Sequence, residues 1–507
     1  MSKDNSRLIK TILISGSSAV ISYLINFFLT SYISENVGIE AYSFVSIAKT
    51  AVSYAQIITV ALTTFIVRYI SINYHKNMLE EARKYYSSSV AACVLLSGGI
   101  FVVVLFLITK LEYVLNIPVN LIGAVKLLFL LVFVNFIITT VITPLNAGAF
   151  IKNRLDITGI LKIVSYITDA VVLILVFSIA TPSIWVVGLG SVTASIVLFV
   201  GTFVLKQKLV PDLKFKRKLV SIACVKDMMS NGIWQSVNSL GNVLNSGLDL
   251  IISNLMLSGI ATGQIAAVKT IGTMFSMLYQ IINQPFQPKM LKVYSTGDMK
   301  AFVKELTKTM KICGFFSNVA FAGFVAIGWT YFKLWLPSQD TNMLYILAII
   351  TIFGSITEGI AQPMYYVNTL TLKKKIPCFV TIGSGVLNTV SMYILLKYTE
   401  LDAYAIVLTT AVIMTCINFF FNPMYCARCL KVHPMSLYRV IFRHIISVVI
   451  MVIVFKAMSM IYVPGSWLTL IAVAMVMVGV GAVIHLAIMT NKEEKKKIMS
   501  KLRKRVR

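Results

Sequence analysis

The sequence predicts an all-α polytopic membrane protein of about 14 transmembrane helices, each long enough to span the bilayer. They form two pseudo-twofold six-helix bundles plus two C-terminal helices, with the N- and C-termini cytoplasmic. Three observations predict this. Of 507 residues, 58% are hydrophobic and only 13% charged, against about 25% charged in soluble domains. The apolar sequence comes in blocks of about 20 residues, the length that crosses about 30 Å of hydrocarbon. The basic residues fall on alternate loops.

The blocks are centred near Ser22, Tyr54, Gly98, Val134, Asp169, Thr193, Asn245, Phe275, Ala320, Phe353, Leu387, Met414, Ile450 and Met475. The first block is longer than the apolar core of a signal peptide and no A-x-A site follows, so it reads as an uncleaved span. The net charge of +27 is carried by clusters at 76–84, 152–154, 206–226, 289–311, 373–375, 428–443 and 492–507. Predicted outside loops carry only Lys110 and Lys397. Such alternation orients helices in a membrane and excludes nucleic acid as the reason for the charge. The tail is a lipid-headgroup anchor. The seven Cys are scattered, with no disulfide framework. Cys426 and Cys429 form a lone C-x-x-C, too little for a metal site.

The chain repeats itself. Gly38-Ile39 with Ala48-Lys49-Thr50 resembles Gly259-Ile260 with Val268-Lys269-Thr270, the Lys-Thr pairs lying 220 apart. Thr143-Pro144-Leu145 matches Gln362-Pro363-Met364, Ile157 matches Ile376, and Asp169-Ala170-Val171 matches Asn388-Thr389-Val390, each 219 apart. One shared offset predicts a parallel duplication of a six-helix unit around a midplane site, the build of secondary transporters. The expected domains are an N-terminal bundle (1–210), a cytoplasmic linker (211–227), a C-terminal bundle (228–434), two additional helices (435–490) and a basic cytoplasmic tail (491–507).

Polar residues line up on four helices. The seventh span carries Gln235, Asn238, Asn242, Asn245 and Asp249, spaced 3, 4, 3 and 4. That puts them on one face running roughly 21 Å. The eighth has Lys269, Thr273, Ser276, Gln280 and Asn283, and the second has Ser46, Lys49, Ser53 and Gln56 with Thr63 further on. The first has Ser15, Ser18, Ser22 and Asn26. Interhelical hydrogen bonding suffices for the first helix. The amides of the seventh call for a hydrated central cavity, because lipid satisfies no amide.

Lys126, Lys333, Lys456 and Lys162 lie near span ends and can snorkel. Lys49 and Lys269 are about ten residues from a loop, equivalent in the two copies, and on the stripes. A charge at that depth costs at least about 2.5–3.5 kcal/mol and is a functional candidate. Two ammonium groups facing one cavity suit a pyrophosphate. Asp249, Asp169 and Glu358 are also deep. They either neutralise the lysines or couple transport to H+ or Na+, Asp249 foremost because it continues the stripe of the seventh span. No other cofactor is expected.

The stretch Trp234-Gln235-Ser236-Val237-Asn238-Ser239-Leu240, then Leu248-Asp249-Leu250-Ile251 and Gly263-Gln264-Ile265-Ala266-Ala267-Val268-Lys269, resembles the polysaccharide-transporter branch of the multidrug/oligosaccharidyl-lipid/polysaccharide exporter superfamily. So do the amphipathic segments 74–86 and 294–310. The resemblance covers nearly the whole chain, by pattern more than by invariant motif. It implies a Wzx-type flippase in a bacterial cytoplasmic membrane, moving an undecaprenyl-pyrophosphate-linked oligosaccharide from the inner to the outer leaflet by alternating access. It further implies a lumen lined by the first, second, seventh and eighth helices. Lys49 and Lys269 would bind the pyrophosphate, and the prenyl tail would be guided by the appended helices. Partners are the lipid-linked substrate, membrane lipids, and the polymerase and glycosyltransferases of the same pathway. Two deep bases against three deep acids depart from the cationic interior of the family and leave open an ion-coupled multidrug exporter or a lipid II flippase. A polytopic polysaccharide polymerase is disfavoured by short outside loops, and a glycosyltransferase also by the absence of D-x-D. The four His show no metal spacing, and there is no P-loop.

Overall fold

The computed structural model describes residues 3–490, with side chains from Gly16 onward together with Ile14. The basic tail, 491–507, and the Ser15 side chain of the first stripe lie outside the described residues. The described chain is helical, with no strand among its residues. Water is absent from hydrocarbon, so a spanning chain must satisfy its backbone within each helix.

The first six long helices are α1 (Lys3–Asn36), α2 (Ile39–His75), α3 (Leu79–Thr109), α4 (Ile122–Leu145), α5 (Leu155–Ile179) and α6 (Trp185–Leu209). The next six are α7 (Ile222–Ser246), α8 (Gly259–Asn283), α9 (Met299–Trp335), α10 (Thr341–Leu370), α11 (Lys375–Tyr398) and α12 (Asp402–Cys416). A π-helical turn, Ile417–Phe421, carries α12 into Asn422–Leu430. Two more follow, α13 (Met435–Ile461) and α14 (Trp467–Met489). Thirteen of the fourteen expected blocks fall on helices that, among the described residues, pass on length and apolar content. The exception is α7, which matches α8 in length at 25 residues but trades apolar side chains for its amide stripe.

The repeat is visible in local structure. The fourth helix of each set holds an internal proline, Pro144 in α4 and Pro363 in α10. In the first set α1 packs on α5, with Gly159 of α5 against Ile14 of α1. In the second, α7 packs on α11, where Gly241 and Gly385 bring the two backbones together. The amphipathic segment expected after the eighth span, 294–310, begins at the last residues of the short helix Gln287–Ser295 and runs into the first turns of α9.

Packing divides the chain into two compact units. Unit 1 is 1–266 with 378–393, and unit 2 is 267–377 with 394–507. In unit 1, α7 lies along α2. Gly232 abuts the carbonyl of Ala61, Ser236 Oγ donates to Ile57 O at 2.6 Å, and Tyr54 OH donates to Gly247 O at 2.7 Å. Near the other end of this seam, Tyr85 OH of α3 donates to Asp227 Oδ2 at 2.8 Å. Small residues permit such close approach where lipid gives helices no hydrophobic reason to associate.

In unit 2, α13 and α14 pack on α9. His444 Nε2 lies 2.9 Å from Ile356 O, His485 Nε2 lies 2.9 Å from Lys311 O, and Asn318 Nδ2 donates to His444 O. Polar side chains thus fasten the appended helices to main-chain carbonyls.

The α2–α7 contact is testable. Gly232→Val should lower the thermal unfolding midpoint of purified protein, at an overpacking cost of about 1–3 kcal/mol. Gly99 of α3 has nothing within 4 Å of an added Cβ. Gly99→Ala should hold or raise the midpoint, since alanine in a helix interior is favoured by about 0.5–1 kcal/mol. Equal losses in both would contradict the close approach.

Candidate substrate site

In unit 1, three helices bring Asn26 (α1), Lys49 (α2) and Asp169 (α5) into one neighbourhood. Asn26 Nδ2 donates to Ser22 O at 2.8 Å. This turns its amide oxygen outward, where it accepts from Lys49 Nζ at 2.9 Å. Lys49 is exposed. It lies ten residues from the start of α2 at Ile39, so about 15 Å along the helix from the turn where α1 meets α2, a length about half the hydrocarbon thickness. Asp169 acts on Lys49 electrostatically. Its Oδ1 is buried without a hydrogen-bond partner among the described residues. It presses on Gly190 of α6, a position where a Cβ would collide with the carboxylate. One turn past Lys49, Ser53 and the exposed Gln56 continue the face, and Ser46 precedes it, half-buried.

The stripe expected on the seventh span divides. Gln235 and Asn242 are exposed and Asn238 is half-buried. Asn245 is 2% exposed and belongs to packing: its Nδ2 donates to Thr381 O at 2.7 Å and Ser384 Oγ at 3.0 Å of α11. Asn388 Nδ2 donates to Asn245 O at 2.7 Å. Nor does Asp249 continue α7. The helix stops at Ser246, and Asp249 opens a separate short helix, Asp249–Met256, where it is buried. The expected five-residue face on one helix is therefore corrected to three residues with access and one that joins helices, with Asp249 beyond the break.

In unit 2, Lys269 is half-buried on α8, and Thr273 and Gln280 are exposed. Ser276 Oγ donates to Glu358 Oε2 at 2.7 Å, and Gln362 Nε2 donates to Glu358 Oε1 at 3.1 Å. Both carboxylate oxygens therefore have a donor. A further polar set lies beyond: Tyr365 OH and Asn422 Nδ2 both donate to Asn418 Oδ1, at 2.5 and 2.9 Å. Sequence reasoning missed these three. Their signal is Tyr365 at one turn from Gln362, and the i, i+4 asparagines inside an apolar run.

The family described as "Polysaccharide biosynthesis protein" matches residues 8–292. The "Uncharacterized membrane protein EpsK" of Bacillus subtilis (strain 168) is 28% identical over 489 residues, 96% of each chain. Among solved structures, the "Lipid II flippase MurJ, inward closed conformation" superposes with a TM-score of 0.70 at 13% identity, covering 94% of this chain and 99% of that one. An inward-facing multidrug resistance MATE family transporter of the MOP superfamily gives 0.62 at 13%, covering 83% and 99%. The family match takes in more than half of the sequence, and the chain belongs to that polysaccharide biosynthesis family. It is a multi-pass membrane protein with the fold of the multidrug/oligosaccharidyl-lipid/polysaccharide exporters.

The division of the α7 stripe predicts different costs. Asn245→Leu strips a donor from Thr381 and Ser384 and should destabilise by about 1–3 kcal/mol. Gln235→Leu should stay within about 0.5 kcal/mol. Thermal melts of the two variants in detergent decide. Equal melting would return Asn245 to the exposed face.

Proposed function

We propose that this member of the polysaccharide biosynthesis protein family is a flippase. It carries an undecaprenyl-pyrophosphate-linked oligosaccharide repeat unit from the inner to the outer leaflet of the bacterial cytoplasmic membrane. The carried unit goes to export of a cell-surface polysaccharide. The observation that supports this most is Lys49, an exposed ammonium at mid-depth held by the Asn26 amide oxygen. An anionic headgroup crossing the bilayer is dearest at the midplane, and a cation there lowers that barrier. Lys269, its equivalent in the second copy, is the second point charge. The exposed amides Gln235 and Asn242, with Asn238, offer hydrogen bonds to sugar hydroxyls.

In this reading α7 is the fourteenth span, both termini are cytoplasmic, and the helices rock by alternating access. The appended helices support the lipid-carrying branch. The solved lipid II flippase matches 94% of the chain, against 83% for the multidrug transporter. Glu358 is the leading candidate for H+ or Na+ coupling, because Ser276 and Gln362 hold its two oxygens in a fixed orientation. Asp249 and Asp169 are further candidates. Glycosyltransferases would supply the substrate and a polymerase would consume it. The three deep acids favour a second reading, ion-coupled export of cationic amphiphiles.

Flipping of a lipid-pyrophosphate-linked oligosaccharide in proteoliposomes is the test. The Lys49→Ala/Lys269→Ala variant should lose roughly tenfold or more in rate, as expected for an interaction worth about 1.4 kcal/mol or more. Glu358→Gln should abolish the response to an imposed pH or Na+ gradient. Efflux of cationic dyes without lipid flipping would overturn the reading in favour of the second.

A further inference from the structure

Within unit 2, α9 packs on both α10 and α13. The imidazole of His444, on α13, lies against Gly314 of α9, where an added Cβ would stand 2.8 Å from its Nδ1. Past that glycine, its Nε2 meets Ile356 O of α10 at 2.9 Å. A carbonyl oxygen only accepts, so Nε2 carries the hydrogen and donates. The main chain of His444 is held as well, Asn318 Nδ2 of α9 donating to its carbonyl at 3.2 Å. His444 is fully buried, and His485 of α14 acts on it electrostatically.

The bond lands on the turn of α10 that carries Glu358. That turn is weakly held by its own helix. Pro363 has no N–H, so the carbonyl of Gly359 goes without its helical donor. Gly359 lies against Ser317 of α9 with no room for a Cβ, and Ser317 Oγ stands 3.4 Å from Ile356 O. From α8, Ser276 Oγ donates to Glu358 Oε2 at 2.7 Å.

We propose that His444 is a positioning residue for Glu358, an inference that rests on Glu358 being the coupling acid. It fixes this turn of α10 where Ser276 can meet the carboxylate. Such hydrogen bonds run to about 3.0 Å, so a displacement of about 1 Å loses the Ser276 bond. The two holds on the turn differ in kind. The Ser276 bond depends on the acid's charge, because a hydroxyl donates more strongly to an ionised carboxylate than to a neutral one. The His444 bond goes to a main-chain oxygen and is the same in both states. When Glu358 takes up a proton or a sodium ion, the grip of α8 loosens while α13 keeps the acid in place. The appended helices thereby enter the coupling step. His485 supplies a comparison. It makes the same kind of bond, Nε2 to Lys311 O at 2.9 Å, but to α9 and not to α10.

The test is flipping of the lipid-pyrophosphate-linked oligosaccharide in proteoliposomes, read as the acceleration that an imposed pH or Na+ gradient adds. His444→Leu removes the donor. The acceleration should fall roughly fivefold or more, the scale of one buried hydrogen bond, with the rate without a gradient within about twofold of wild type. His444→Gln sets an amide N–H near the Nε2 position and should restore the acceleration. Glutamine does not titrate, so rescue assigns the role to the donor. His485→Leu loses a matched bond and should keep the acceleration. Where His444→Leu does not fold, His444→Asn takes its place, its amide reaching only as far as Nδ1. Equal losses in the His444→Leu and His485→Leu proteins overturn the inference, and so does a folded His444→Gln that fails to rescue. A His444→Leu protein that responds like wild type while Glu358→Gln does not also overturns it, and leaves the coupling acid standing. A Glu358→Gln protein that responds like wild type removes the coupling reading, and the role of His444 falls with it.

Discussion

A polar group inside hydrocarbon has no water to turn to, so another part of the chain or a wet cavity must meet it. This constraint sorts the polar residues of the spans into two kinds. Ser236, Tyr54, Asn245, Asn388, Asn318, His444 and His485 are spent on carbonyls and amides of neighbouring helices. They set which helices touch and at what depth. Lys49, Gln56, Gln235, Asn242, Thr273 and Gln280 remain exposed. Exposed polar side chains on such helices call for water or a polar ligand rather than lipid.

The duplication shows how one scaffold supplies both kinds. Asn26 and Asn245 are 219 apart, as are Asp169 and Asn388. In the second copy the pair closes on itself, Asn388 donating to the backbone of Asn245. In the first copy the carboxylate of Asp169 stands where that amide would be, and Asn26 gives its oxygen to Lys49 instead. Exchanging an amide for an acid turns a helix–helix fastening into a charged site at the same place in the repeat. The close approach of Gly190 to Asp169 shows that α6 is shaped around the carboxylate.

The spans and the repeat were legible because both are written in residue type and spacing. Apolar blocks show their length directly, and Pro144 and Pro363 mark the same helix in each copy. The division of the α7 stripe was not legible. Spacing puts Asn242 and Asn245 on the same side of an ideal helix, but α11 comes close enough at Gly241 and Gly385 to cover one and leave the other. The end of α7 was hidden as well, because a period of 3.6 continues on paper through Ser246-Gly247-Leu248 while the backbone breaks there. Packing partners are long-range facts. Nothing in the local pattern says that 378–393 packs with the first six helices.

The two charges at the heart of the proposed cycle are held in opposite ways, and the difference bears on what each can do. Glu358 has a donor on each oxygen, from Ser276 and Gln362. Around it the backbone is irregular, with Pro363 interrupting the hydrogen-bond ladder of α10 and a π-turn in the segment after α12. Irregular backbone is tolerated at depth only where protein or water satisfies it, and Asn418, within that turn, is pinned by Tyr365 and Asn422. A carboxylate so fixed is suited to an exchange at one point, as a proton or a sodium ion requires. Lys49 is tethered by one amide oxygen at the end of a four-carbon stem. It can swing with a moving anion while Asn26 keeps the place to which it returns. In the proposed cycle, a fixed acid would couple and a mobile base would guide, dividing the labour of a carrier whose substrate travels while its ion site stays still.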